Sequence, residues 1–162
     1  YLGQPDECAV AAAAAEVRVP GRLQVIASEP LTLVDGAHNP AGMVALAASL
    51  PEVLGERRKG LVAVVSILDD KDAAGMLAAL LPACRAVVFT SSQNPRALPP
   101  PTLQSLAGQL NGPPSEIVAD PRAGLERARK LAGPGGAVLA AGSIYLVADL
   151  LRPAAASQAS WL

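Results

Sequence analysis

A doubly wound α/β fold is what this 162-residue chain predicts, and three observations predict it. From Leu31 onward, short apolar stretches alternate with single stretches of helical periodicity, the pattern of a mostly parallel sheet with helices on both faces. One of the apolar stretches, Gly60 to Leu68, is apolar almost throughout, as in a central parallel strand buried on both faces. Finally, the polar turns that follow the strands end in helix caps, which gives repeated strand, turn and helix units.

Taken in order, residues 1 to 19 start as a polar turn, Gly3-Gln4-Pro5-Asp6-Glu7, and continue as an alanine-rich segment of high helix propensity to about Val17. They are expected to be the end of a preceding domain and its linker, closed by the helix-breaking pair Pro20-Gly21. Arg22 to Ala27 is strand-like, and Ser28-Glu29-Pro30 joins it to a second strand, Leu31 to Asp35. So short a connection requires antiparallel pairing. Asn39 is a good N-cap, Pro40 suits the first helical position, and Met43, Leu46, Ala47 and Leu50 supply the apolar stripe.

After the central strand Gly60 to Leu68, Asp72 caps a helix carrying Met76, Leu77, Leu80 and Leu81, closed by Pro82. Ala86 to Thr90 is the next strand. The loop Ser91 to Arg96 and Pro99-Pro100-Pro101 lead into a helix with Leu103, Leu106, Ala107 and Leu110 on its face. A short strand, Glu116 to Val118, precedes the cap Asp120 and a helix to about Ala132, with Leu125, Ala128 and Leu131 on one side. Ala137 to Ala141 is the last strand, and Ser143 caps the final helix. The sum is a Rossmann-like, mostly parallel six-stranded sheet with one antiparallel edge strand. The domain is expected over residues 20–152, with a flexible tail at 153–162.

Composition narrows the function. The formal net charge is -1 and the largest basic cluster is Glu56-Arg57-Arg58-Lys59, so a nucleic-acid surface has little support. Cys8 and Cys84 are far apart and outside any metal-binding spacing, which fits a reducing cytoplasm and no zinc site. The longest purely apolar run, Ala9 to Ala15, is too short to span a bilayer. A P-loop, a Gly-x-Ser-x-Gly elbow and a dinucleotide fingerprint after a strand are all missing.

The strand ends nevertheless gather chemistry. Asp35 and His38 lie in one loop, Asp69 to Asp72 in the next, Arg96 in the third and Ser143 in the last. In an open α/β sheet these loops share the carboxyl edge, where ligands bind, and helix N-termini there favour anions. Capping alone can account for Asn39, Asp72 and Ser143, and Arg22 can be a strand-edge charge. His38, the single histidine, stands in a polar turn rather than on an apolar face.

Asp-Gly-Ala-His-Asn-Pro at 35–40, preceded by Pro20-Gly21-Arg22-Leu23-Gln24-Val25, resembles the carboxyl-terminal domain of folylpolyglutamate synthase / dihydrofolate synthase, within the Mur ligase superfamily. Matches continue in order: Asp70-Lys71-Asp72 with Met76-Leu77, Pro95-Arg96-Ala97-Leu98, and Gly142-Ser143-Ile144-Tyr145-Leu146-Val147. The resemblance implies a ligase that uses ATP and Mg²⁺ to phosphorylate the carboxylate of dihydropteroate or a folate. The amine of L-glutamate then attacks the acyl phosphate. It implies that Arg22 and Asp35 contact the nucleotide and that His38 and Ser143 are catalytic. Asn39, Lys71, Asp72, Arg96 and Tyr145 line the cleft without assigned roles. Ala141 stands where the family more often has threonine before its Gly-Ser.

The P-loop and metal ligands are implied to belong to an amino-terminal ATPase domain of the same polypeptide, with no metal ligands here. The opening at Tyr1 is read as that of a carboxyl-terminal fragment, unable to catalyse alone. A cytoplasmic monomer without membrane or nucleic-acid partners is expected. Two other readings are a Rossmann-like binding domain without chemistry and a Mur ligase domain for a cell-wall precursor.

Overall fold

The computed structural model describes residues 21–153; the alanine-rich amino-terminal segment and the tail after Pro153 lie outside them. Within this range the six expected strands form one sheet: β1 (Gln24–Ser28), β2 (Leu31–Val34), β3 (Leu61–Val65), β4 (Ala86–Phe89), β5 (Ser115–Ile117) and β6 (Ala137–Ala141). Five helices connect them: α1 (Pro40–Leu54), α2 (Ala73–Leu80), α3 (Pro100–Gln109), α4 (Pro121–Ala132) and α5 (Ile144–Leu151). The strand order is β1-β2-β6-β3-β4-β5, with β1 and β2 antiparallel and the rest parallel.

The runs without polar residues became the centre of the sheet. Every residue of β3 and β6 is fully buried, because each strand has helices on both faces. Side chains alternate, so Ala63 and Val65 join Met43, Leu50, Met76 and Leu103 in the core beneath α1, α2 and α3. Val62 and Val64 instead meet Leu125, Ala128, Leu146 and Val147 beneath α4 and α5. The caps form as the sequence suggests: Asn39, Asp72 and Asp120 each accept a backbone N–H from three residues on, Gly42, Gly75 and Ala123 respectively.

Most strand ends differ from expectation by a residue, and three boundaries differ for a clear physical reason. Arg22 lies before the first strand, because Leu23 takes φ +39° and breaks extended geometry ahead of Gln24. β3 stops at Val65, and Leu68 pairs only through an isolated bridge to Ala97. Leu110 is 38% exposed as the C-cap of α3 instead of facing the core, since Asn111 at φ +53° turns the chain away.

Adjacent parallel strands β2 and β6 send their helices to opposite faces, α1 to one and α5 to the other. The loops that leave them must diverge, and a crevice opens between them at the carboxyl edge.

Candidate functional site

Four loops meet at that edge and are stitched together by backbone. The Asp35 N–H donates to the Ala140 carbonyl at 2.9 Å and the Gly142 N–H to the Ala37 carbonyl at 3.1 Å, which joins the β2 and β6 loops. Gly142 has φ +102°, and a Cβ there would stand 2.7 Å from the Ser66 carbonyl oxygen. Only glycine lets the β6 loop pass this close to the end of β3. The Ser92 N–H donates to Ser66 Oγ at 3.0 Å, and the Asp69 and Leu98 N–H groups donate to the Arg96 and Ile67 carbonyls at 2.8 Å, which ties the β3 and β4 loops.

On the β2 side, the structure brings Arg22 and Asp35 together, with Arg22 Nη1 3.8 Å from Asp35 Oδ1. The Arg22 side chain is 56% exposed while that of Asp35 is 7% exposed. Asp35 is anchored by two backbone donors: the Leu23 N–H reaches Oδ2 and the Ala37 N–H reaches Oδ1, both at 2.8 Å. Its carboxylate therefore closes the loop on which it stands and also holds the chain leading into β1. The free lone pairs of its oxygens are what remains for a ligand.

His38 is half-buried beside the N-terminus of α1, and its Nδ1 lies 2.8 Å from the Gly36 carbonyl oxygen. A carbonyl only accepts, so Nδ1 carries the proton, and in the neutral ring Nε2 is the acceptor. A cavity of about 390 Å³ adjoins this loop, lined by Gly21, Arg22, Gly36, Ile144, Val147 and Leu151 among others. It is an apolar hollow with a guanidinium at its rim.

The remaining expected residues fall into two groups. Asn39 and Asp72 are exposed caps, whereas Ser143 is 1% exposed, its Oγ accepting the Tyr145 N–H at 3.1 Å. Tyr145 is 39% exposed on the first turn of α5. Lys71 and Arg96 share one carboxylate, with Lys71 Nζ at 2.9 Å and Arg96 Nη1 at 3.5 Å from Asp70 Oδ2. The hydrogen bond from Lys71, with the charges of Lys71 and Arg96, holds the Asp70 carboxyl below the usual carboxylate range. Burial pushes the thiol of Cys84, which packs half-buried against the core, up to about 12 and so keeps it protonated.

Sequence reasoning missed Asp149. This buried carboxylate on α5 accepts the Gln93 N–H at 2.8 Å and stands 4.0 Å from Arg152, which itself donates to Gln93 Oε1 at 3.2 Å. It fixes the β4 loop to α5 across 56 residues of sequence, and its only sequence signal is a charge on an otherwise apolar helix. No group of three or more His, Cys, Asp and Glu that could hold a metal occurs among the described residues. The acidic stretch Asp69 to Asp72 does not supply one, since Asp70 is taken by two cations and Asp72 by the helix it caps.

The pattern of the family described as Mur ligase, glutamate ligase domain, matches residues 21–144. The dihydrofolate synthase/folylpolyglutamate synthase of Mycobacterium tuberculosis is 46% identical over 110 residues, 68% of this chain and 22% of that protein. The crystal structure of Mycobacterium tuberculosis folylpolyglutamate synthase complexed with ADP and AMPPCP superposes with a TM-score of 0.81 at 36% identity, over 93% of this chain and 36% of that one. E. coli FolC in complex with DHPP and ADP superposes with a TM-score of 0.76 at 26% identity, over 90% of this chain and 33% of that one. The chain thus spans between 22% and 36% of the length of these relatives.

Proposed function

We propose, from the premise that the chain belongs to the Mur ligase glutamate ligase domain family, that it is the carboxyl-terminal domain of an ATP-dependent folate ligase. The reaction joins L-glutamate to dihydropteroate, to folates or to both, through an acyl phosphate. This domain closes over a nucleotide held mainly by a P-loop domain of the same polypeptide. The observation that carries the reading is the convergence of Arg22 on Asp35 at the carboxyl edge, 3.8 Å apart, with His38 in the same loop.

Each residue then has a task that its setting permits. The exposed guanidinium of Arg22 supplies charge-assisted hydrogen bonds to the nucleotide, and phosphoryl transfer depends mainly on such positioning and neutralisation. Asp35 orients Arg22 and offers its spare lone pairs to a ribose hydroxyl. His38 stands toward the phosphates and the incoming glutamate; with Nδ1–H committed to Gly36, its Nε2 lone pair can accept from the incoming amine. Ser143 acts through the α5 N-terminus that it caps, as its buried hydroxyl is bonded there. Mg²⁺ supplies neutralisation of phosphate charge, and its ligands are assigned to the P-loop domain.

In the full-length ligase, Arg22→Ala is expected to raise the apparent KM for ATP by about tenfold or more, the range of a lost charge-assisted hydrogen bond. An unchanged constant would remove the nucleotide assignment. This chain by itself should bind ATP no better than about millimolar, since it has no P-loop to hold the β- and γ-phosphates. With ATP, Mg²⁺, L-glutamate and a folate it should release no ADP. ADP release that follows the purified chain and is lost in Asp35→Ala would show a complete active site within it.

A further inference from the structure

The three residues ahead of β1 form a buckle that is gripped on both sides. The Gly21 N–H donates to the side-chain Oε1 of Gln24 at 2.9 Å. The Gly21 carbonyl accepts the Gly36 N–H at 2.6 Å. Two residues later the Leu23 N–H is held by Asp35 Oδ2 at 2.8 Å, with Leu23 itself in the left-handed region at φ +39°. Arg22 is the one residue of the three whose own peptide groups have no part in these bonds, and its side chain is 56% exposed.

From this we infer that Gln24 is a positioning residue for Arg22: its side-chain amide fixes the Gly21 peptide, and thereby the direction in which the guanidinium leaves the buckle. The argument is one of accounting. Gly21 has φ +73°, and a Cβ there would stand 3.2 Å from Val147 Cγ1, so the backbone is pressed against α5 in a conformation that glycine tolerates but does not enforce. Backbone freedom at such a position has to be removed by neighbours. Gly36 and Asp35 remove it from the loop side, and Gln24 is the group that removes it from the strand side. Gln24 is also the first residue of β1, paired with Val34 directly before Asp35, so its side chain starts from a fixed point. An oxygen acceptor is required at this place and a charge is not. Glutamate can therefore replace glutamine, and leucine, which lacks an acceptor, cannot.

The inference rests on the proposed contact between Arg22 and the nucleotide, and two readouts keep the two apart. In the full-length ligase, Gln24→Leu should raise the KM for ATP about fivefold, the size of one net hydrogen bond, with kcat unchanged, and Gln24→Glu should restore it. In an Arg22→Ala background, Gln24→Leu should add nothing, because the group that it positions is gone. An equal effect in both backgrounds, or a lowered melting temperature with KM unchanged, would overturn the inference. If Arg22→Ala leaves KM unchanged, the nucleotide reading fails by itself. The positioning role is then decided on this chain by NMR: faster exchange of the Gly21 amide and a shifted Arg22 Nε signal in Gln24→Leu, both restored in Gln24→Glu, sustain it. Unchanged signals overturn it.

Discussion

Two places at the same sheet edge each bring an arginine beside an aspartate, yet they are built on opposite principles. In the β2 loop the Asp35 carboxylate is buried, receives two backbone N–H groups and stands beside an arginine that is largely exposed. In the β3 and β4 loops the Asp70 carboxylate is 42% exposed and receives Lys71 and Arg96, while backbone bonds between the loops fix their path without it. The first carboxylate is part of the framework. The second is a charge laid on a framework already closed. The lesson is that nearness of Arg and Asp does not define a role; what else the carboxylate satisfies does.

The sharpest way to break this comparison is to remove the buried acid. Asp35→Ala should cost about 2–4 kcal/mol in urea unfolding, since the part-buried Leu23 N–H and the buried Ala37 N–H lose their acceptors. Asp35→Asn keeps one acceptor oxygen and should cost less. In the proposed full-length ligase, Asp35→Ala should also raise the KM for ATP, and comparison with Asp35→Asn at a temperature where both are folded separates the two effects. A loss below about 0.5 kcal/mol, the level of an ordinary surface change, would mean that the loop does not need its clamp.

His38 lies between the extremes. Its ring is half-buried, and among the described residues it bonds within its own turn, to Gly36. His38→Ala should therefore change stability by no more than about 1 kcal/mol while turnover falls sharply. With Nδ1–H committed to the Gly36 carbonyl, Nε2 is the ring nitrogen left to a ligand. A large loss of melting temperature with normal turnover per folded molecule would place His38 with Asp35 as framework.

How much of this was readable beforehand follows the same division. Local signals carried well: the apolar runs 61–65 and 137–141 became the fully buried centre, and the side chains of Asn39, Asp72, Asp120 and Ser143 each accept a backbone N–H at a helix start. The nearness of Arg22 to Asp35 is one that the short connection between the first two strands allows, as both lie toward the open end of that hairpin. Bonds that depend on distant backbone were not readable. Nothing near Asp35 in sequence shows that it holds Leu23, and nothing near Asp149 shows that it holds Gln93. The start of β1 was misplaced for the same reason, as Leu23 takes its left-handed turn beneath a carboxylate 12 residues away.

The smallest expected effect belongs to Asp70, and it tests the exposed side of the comparison. Its folded-state carboxyl titrates below the ordinary 3.8, first through the hydrogen bond from Lys71 and then through the charges of Lys71 and Arg96. A depressed carboxylate contributes stability that is present above the ordinary value and is lost as pH falls through the folded one. Asp70→Asn should therefore melt slightly lower than the parent chain at neutral pH, and the gap should close as pH drops below 3.8. High salt should close it too, since at about 1 M the screening length falls to about 3 Å. Asp35→Asn should respond less to salt, because the two bonds that it weakens run to backbone N–H groups and only its contact with Arg22 is a screenable ion pair. A gap for Asp70→Asn as wide as that for Asp35→Asn, or one indifferent to salt and pH, would erase the distinction between framework and surface carboxylate. A narrow, screenable gap would leave Lys71 and Arg96 as two cations held only loosely by Asp70, free to turn toward an anion at the mouth of the crevice.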